Sequence, residues 1–266
     1  MSHWTLDDIP WHAFDRSQVT PQLLSLVKSA SMVEHNGYDY ARYLCEVFAG
    51  DPLFQEVARG WAEEEVQHGR ALRKWAELAD PDFDFDESFA AFTTGYQLPR
   101  NVETSVRGSR CGELIARCVV EIGTSSYYTA IRDATDEPAL KVLAAKIAAD
   151  EFRHYKLFYT HLQRYLEIEK LGKFHRLKIV LSRIAESEDD ELSYAYFAAH
   201  RKHADESYNH KCCAKQYMAC VGSLYRRGHI DRMIAMAFKT VGMKPHDLFN
   251  RCLGRVAWGI LKFRAA

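Results

Sequence analysis

Residues 49–68 read AGDPLFQEVARGWAEEEVQH, and residues 135–154 read TDEPALKVLAAKIAADEFRH. Each stretch opens on a turn, offers a proline for the first position of a helix, and reaches Glu-x-x-His 13 residues after that proline. At i and i+3 the glutamate and histidine share one helix face, a turn apart. Another acid stands before each motif glutamate, Glu64 before Glu65 and Asp150 before Glu151. A single Glu-x-x-His arises by chance in a chain with 36 acids and 12 histidines, whereas a repeat of the whole stretch is far rarer.

The repeat extends upstream. Glu34 lies 31 residues before Glu65, and Glu121 lies 30 before Glu151. The turns fall between the members of each pair, at Gly50-Asp51-Pro52 and Asp136-Glu137-Pro138. At ~1.5 Å per residue each glutamate sits about 20 Å from its turn, level with its partner across a helical hairpin.

Outside these stretches the apolar period is also helical. Thr20 and Pro21 start a helix over about 22–48, and the next covers about 53–79. Residues 80–108 break the pattern and read as a long crossover with a short helix near 86–94. Helices over about 109–134 and 139–170 follow. Residues 1–172 therefore predict an all-α, ferritin-like four-helix bundle with one long crossover. Residues 173–266 predict a C-terminal helical appendage packed on the bundle, with helices near 174–187, 190–226, 229–241 and 245–264.

Composition removes several function classes. The 266 residues are 47% apolar and 27% charged, a soluble globular profile. Lys and Arg (35) balance Asp and Glu (36), which leaves no bulk basic field for nucleic acid or an anionic membrane. No uncharged apolar run approaches the ~18 residues a membrane span needs. The N-terminal MSHWTLDDIPWHAFD has acids where a signal peptide carries cations. The 7 cysteines form no CxxC and read as reduced thiols, so a cytoplasmic location is expected and a zinc ribbon or rubredoxin centre is not.

Glu34, Glu65, Glu121, Glu151, His68 and His154 converging inside an apolar bundle need a counter-charge, because an unpaired buried ion costs several kcal/mol. Two divalent cations would cancel the carboxylates. Oxygen-rich ligation with one imidazole per ion suits iron or manganese better than structural zinc.

Over residues 22–170 this pattern resembles the dinuclear carboxylate proteins of the ferritin-like superfamily. The resemblance implies two iron ions, with manganese as the alternative. It implies that Glu65 and Glu151 bridge them, that Glu34 and Glu121 are terminal ligands, and that His68 and His154 take one ion each. It further implies that Asp150 orients His68 and Glu64 orients His154. Asp150-Glu151-Phe152-Arg153-His154 is similar to the acid-Glu-x-Arg-His motif of acyl-carrier-protein desaturases and bacterial multicomponent monooxygenases. In those desaturases a threonine follows the third-helix glutamate by three residues. Thr124 holds that place and becomes the candidate catalytic residue. Gln67 departs from the pattern, standing where the first motif would carry arginine.

The function so implied is a di-iron, O2-dependent oxidase or oxygenase. It would desaturate or hydroxylate an organic substrate, acyl or apolar, free or carrier-bound. No flavin or nicotinamide fingerprint is evident, so a ferredoxin or reductase would supply electrons, and a homodimer is expected. A ferroxidase or peroxide-scavenging iron protein is the alternative. A helical interaction protein stabilised by its metal is a third reading.

Other residues have plainer readings. Gly37 and Gly123 fit either close helix packing or space for dioxygen or substrate. Tyr38, Tyr127 and Tyr128 read as core or cavity wall, since Leu72 stands where ribonucleotide reductase small subunits hold a radical tyrosine. His200, His203, Glu206, His210, Cys212 and Cys213 lack four-ligand spacing and read as incidental groups on a hydrated helix. The apolar and basic residues from Leu248 to Arg264 predict a helix packed on the bundle or a sister subunit. Docking of a membrane surface or an acidic carrier is the alternative there.

Overall fold

The computed structural model describes residues 4–186, 190–201, 203, 206–244, 254–255 and 257–259. Among these residues the chain is all helical, with no strand. No described helix is long and apolar enough to cross a membrane.

Helix starts follow the capping rules. Thr20 accepts the Leu23 N–H and Pro21 opens α1 (Pro21–His35). Asp51 caps α3 (Pro52–Ala79) in the same way. Glu137 caps α6 (Pro138–Glu169), accepting the N–H groups of Ala139 and Leu140. Its fully buried carboxylate also accepts the Trp75 indole N–H at 2.6 Å, which ties α3 to the turn before α6.

The helix expected over 22–48 is two helices. The chain turns at Asn36, between α1 and α2 (Gly37–Val47). Gly37 is pressed against α3, where an added Cβ would lie 2.8 Å from Glu65 Cβ and 2.9 Å from the Ala62 carbonyl oxygen. Close approach of the two backbones accounts for this glycine.

α1 and α2 pack along α3, and α5 (Arg110–Ala134) packs along α6. The second hairpin is pinned at its open end, where Glu169 accepts the backbone N–H groups of Arg110 and Cys111. The turn of the first hairpin lies beside that open end. There Asp51 accepts the Tyr165 hydroxyl at 2.8 Å and pairs with Arg164. The 80–108 segment joins the hairpins and contains α4 (Phe85–Gly95).

The described helices that follow α6 pack around this assembly. α7 (Lys173–Ala185) and α10 (Arg227–Val241) pack on α5, α8 (Asp190–His200) packs on α1 and α4, and α9 (His210–Leu224) packs on α8. The single helix expected over 190–226 is therefore corrected: it divides, and Asn209 caps α9 by accepting the Cys212 N–H. Of the helix expected over 245–264, residues 254–255 and 257–259 are helical, and the others lie outside the described residues.

Among the described residues the apolar core falls into three clusters: a smaller one gathers Leu26, Ala130, Tyr217 and Ile230, and two larger ones run along the long helices. One of the larger two contains Met32, Leu72, Trp75, Tyr128 and Leu140. The other contains Leu44, Phe54, Leu114, Ile115 and Phe158. Along all four long helical paths a layer of buried acids and histidines lies between them.

Candidate metal centre

That layer holds the six side chains singled out by spacing. Glu34 comes from the last turn of α1, Glu65 and His68 from α3, Glu121 from α5, and Glu151 and His154 from α6. All six are buried. They form two overlapping groups, Glu34–Glu65–His68–Glu151 and Glu65–Glu121–Glu151–His154, in each of which one ligand atom per residue lies within 4.8 Å of the others. Glu65 and Glu151 belong to both groups.

The test of whether this cluster suits metal ions is what its polar atoms do otherwise. Glu65 Oε1, both oxygens of Glu121, Glu151 Oε1 and the Nδ1 atoms of His68 and His154 are buried without a hydrogen bond. Orphaned buried polar atoms are rare and costly, and here they face one another. Each imidazole is held from behind instead. His68 Nε2 meets Asp150 Oδ2 at 3.0 Å, and His154 Nε2 meets Glu64 Oε2 at 2.9 Å. A proton on Nε2, facing the acid, leaves the Nδ1 lone pair turned inward. There it meets Glu151 Oε1 at 3.1 Å from His68 and Glu65 Oε1 at 2.9 Å from His154. Lone pairs set against carboxylate oxygens call for cations between them, and this donor set fits a pair of divalent ions.

Without metal, protons must do that work, and the proton affinities show it. Burial, then the charges of Glu151 and Glu34, push Glu65 well above the usual carboxylate range. Burial, opposed by the nearby His154 imidazole and helped by the Glu151 charge, brings Glu121 up to about 8. Burial also pushes Glu34 up, but hydrogen bonds with Glu65, His68 and Tyr128 outweigh it and hold Glu34 low. For both histidines burial works downward, and their bonds to the surrounding acids win, raising them well above the ordinary value.

A supporting layer fixes the orienting acids. Arg153 donates to Asp150 Oδ1 at 2.5 Å and also to Glu64, so one guanidinium clamps the partners of both histidines. The Trp4 indole N–H donates to Asp150 Oδ2 at 2.6 Å, and its ring lies parallel to that of His68 with centroids 5.9 Å apart. Gln67, the departure from the expected arginine, donates to the Trp4 carbonyl at 2.9 Å. The Tyr128 hydroxyl donates to Glu34 Oε1 at 2.5 Å, and the Thr124 hydroxyl donates to Glu151 Oε2 at 2.5 Å.

Sequence reasoning missed Trp4 and the clamp by Arg153. Trp4 sits in a segment without helical period, 146 residues from its partner, so no local signal marks it. Among the tyrosines, Tyr38 is 58% exposed and walls no core, whereas Tyr128 is buried against Glu34. His200 is not a hydrated bystander: its ring nitrogens meet the Tyr196 carbonyl at 2.7 Å and Ser25 Oγ at 2.9 Å. Among the described residues no metal-competent group includes His200, His203, Glu206, His210, Cys212 or Cys213. Gly123 borders open space, with nothing within 4 Å of an added Cβ. Comparison with protein-family models and with curated proteins finds no match.

Proposed function

We propose that the chain is a ferritin-like four-helix bundle built around a dinuclear iron centre, and that it uses O2 to desaturate or hydroxylate an organic substrate. One observation carries this reading. The ligand atoms of four carboxylates and two imidazoles converge, and most of them have no other partner. Carboxylate-rich ligation with one imidazole per ion favours iron, and manganese is the chemical alternative. Two iron ions held there would supply the redox capacity for O2 chemistry that side chains lack.

The chain's own residues do the rest. Glu65 and Glu151, common to both groups, would span the two ions, while Glu34 with His68 and Glu121 with His154 would complete one each. Asp150 and Glu64 hold the imidazoles in one tautomer and ring plane. The apolar clusters on either side limit water at the centre. Thr124, donating to Glu151 Oε2, is placed to hold or pass a proton there. An external ferredoxin or reductase would supply electrons.

The test is anaerobic Fe(II) loading followed by O2, watched by Mössbauer and optical spectroscopy with and without acyl substrates. About two irons per chain are expected, one for each ligand group, together with oxidised substrate. Iron uptake far beyond that, with no organic product, would replace this reading with the ferroxidase one.

A further inference from the structure

α7 carries apolar side chains on two sides. One side packs inward on α5 and α10 and buries Ile179 and Val180. At ~3.6 residues per turn, Phe174, Leu177, Leu181 and Ile184 recur on another side. Phe174 is 91% exposed, the most of any large apolar side chain among the described residues. Leu181 is 57% exposed, Ile184 is also exposed, and Leu177 is half-buried. Single exposed apolar residues are ordinary, but a contiguous row marks an interaction surface. On the same helical wheel Lys173 lies at one edge of the row and Lys178 at the other, both exposed. The helix holds Lys173, His175, Arg176, Lys178 and Arg183 and no acid. Glu186, just beyond it, is taken by Arg107 and Ser182. Neither Lys173 nor Lys178 pairs with an acid among the described residues.

We propose that α7 docks on the surface of a lipid bilayer that contains anionic headgroups. Phe174, Leu181 and Ile184 enter the upper acyl region, and Lys173 and Lys178 sit among the headgroup phosphates. The inference goes beyond the metal centre and does not depend on it. Three arguments select lipid as the occupant. The first is pattern: an apolar row bordered by lysines is what an interfacial helix presents, because the lysine stems lie along the apolar surface while their ammonium groups reach the phosphates. The second is charge. A second copy laid on this face about a two-fold axis would set lysines against lysines, with no acid on α7 to separate them. The third is shape. The Phe174 ring stands almost wholly clear of the protein, so a folded partner would need a matching hole, whereas a fluid interface admits the ring without one. A net charge of −1 gives no long-range pull, so the attraction is local to this face and fades within a Debye length. Since no described helix can cross a membrane, the described part of the chain lies on the bilayer rather than spanning it.

The experiment is co-flotation of the full chain with phosphatidylcholine vesicles that contain about 30% phosphatidylglycerol. Wild type should float with them, bind pure phosphatidylcholine about tenfold or more weakly, and release as salt is raised. Phe174→Ser with Leu181→Ser should weaken binding to the anionic vesicles about tenfold or more, because the apolar anchor is removed. Both side chains are exposed, so this variant should melt at the wild-type temperature. Lys173→Gln with Lys178→Gln should give a similar loss, and Lys173→Glu with Lys178→Glu should abolish binding. Arg59→Glu, in the α2–α3 groove, should change nothing. Metal-free and iron-loaded protein should float alike, so failure of the iron chemistry leaves this result standing. Failure of wild type to float with anionic vesicles, or equal flotation of wild type and both double variants, overturns the proposal. A lipid-free dimer that the Phe174 and Leu181 changes dissolve, without vesicle binding, would give the face to a second copy instead. Acyl carrier protein binding lost in the lysine variants, again without vesicle binding, would give it to an acidic protein.

Discussion

The two hairpins repeat one ligand pattern but hold it differently. In the first, Glu34 ends a helix that breaks at Asn36, and its carboxylate is tied to Tyr128. His68 is fully buried, and its acid, Asp150, is held on three sides by His68, Trp4 and Arg153. In the second, α5 runs unbroken through Glu121, and neither oxygen of that carboxylate is hydrogen-bonded, with His154 Nδ1 3.6 Å from Oε2. His154 leans on Glu64, which is 24% exposed where Asp150 is 7% exposed at the side chain. The same residue types at the same spacing therefore form one preorganised half-site and one looser half-site. Preorganisation lowers the reorganisation that ligand capture requires, so the half with Glu34 and His68 should fill first and release last.

The largest effect expected from this comparison follows from what the halves share. Glu65→Ala or Glu151→Ala should remove most of both metal ions, since each residue serves both groups. Glu121→Ala should strip only the looser half-site and leave about one ion per chain. Elemental analysis after gel filtration reads all three. Full iron occupancy in the Glu65 and Glu151 variants would sink the site assignment. Equal losses from Glu121→Ala and Glu34→Ala would erase the proposed difference between the halves.

A second effect is an inversion of pH dependence on metal loading. Glu65, Glu121, His68 and His154 all have folded-state proton affinities above their ordinary values. A raised group contributes stability that is complete below its unfolded pKa and is lost as pH climbs through the folded one. For Glu121 that window runs from 4.5 to about 8. Glu34 and Asp150 are held low and act oppositely, gaining as pH rises, but they finish in the acid range. Metal-free protein should therefore lose thermal stability between about pH 5 and 8. Loaded protein should gain over the same range, because ligands must shed protons to bind metal. Calorimetric melting curves with and without chelator decide it, and parallel pH profiles would refute the inversion.

The hairpins were legible because their signals are local. Asp51-Pro52 and Glu137-Pro138 cap helices through their own neighbours, and spacing along a helix sets which side chains share a level. The break at Asn36 was not legible, since it depends on Gly37 meeting α3 across the hairpin. Trp4 and Tyr128 were not legible as site residues for the same reason. Their partners lie 146 and 94 residues away, and only the tertiary fold brings them together. The division of 190–226 into α8, ending at His200, and α9, starting at His210, also escaped the helical period.

Third in size is the difference between the two orienting acids. Removing an acid that supports a metal-binding histidine lowers affinity by about 10–100-fold. Asp150→Asn should sit at the upper end, because it disturbs His68, Trp4 and Arg153 together. Glu64→Gln should sit at the lower end, because that carboxylate, which meets His154 and Arg153, is partly solvated. Competition titration with a metal-sensitive dye gives both values. A reversed order would mean that solvent exposure does not set the strength of support.

The smallest effect separates two hydroxyls that each donate to a cluster carboxylate at 2.5 Å. Tyr128 is buried, and removing its donor leaves Glu34 with one fewer bond in a dry site. A hydrogen bond to a charged group there contributes about 1.5–3 kcal/mol. Tyr128→Phe should therefore weaken the tighter half-site about tenfold or more. Thr124 is only half-buried, its oxygen also lies 3.3 Å from the carbonyls of Val120 and Glu121, and water can replace it at Glu151. Thr124→Val should cost only a few-fold in affinity, in line with about 1 kcal/mol for an ordinary bond. If Thr124 also holds a proton during turnover, its variant should slow O2-dependent product formation more than it weakens metal binding. Thr124→Ser should then restore the rate, since it returns the hydroxyl without the methyl. A valine variant that loses rate and affinity in equal proportion would leave Thr124 a structural contact of Glu151 and nothing more.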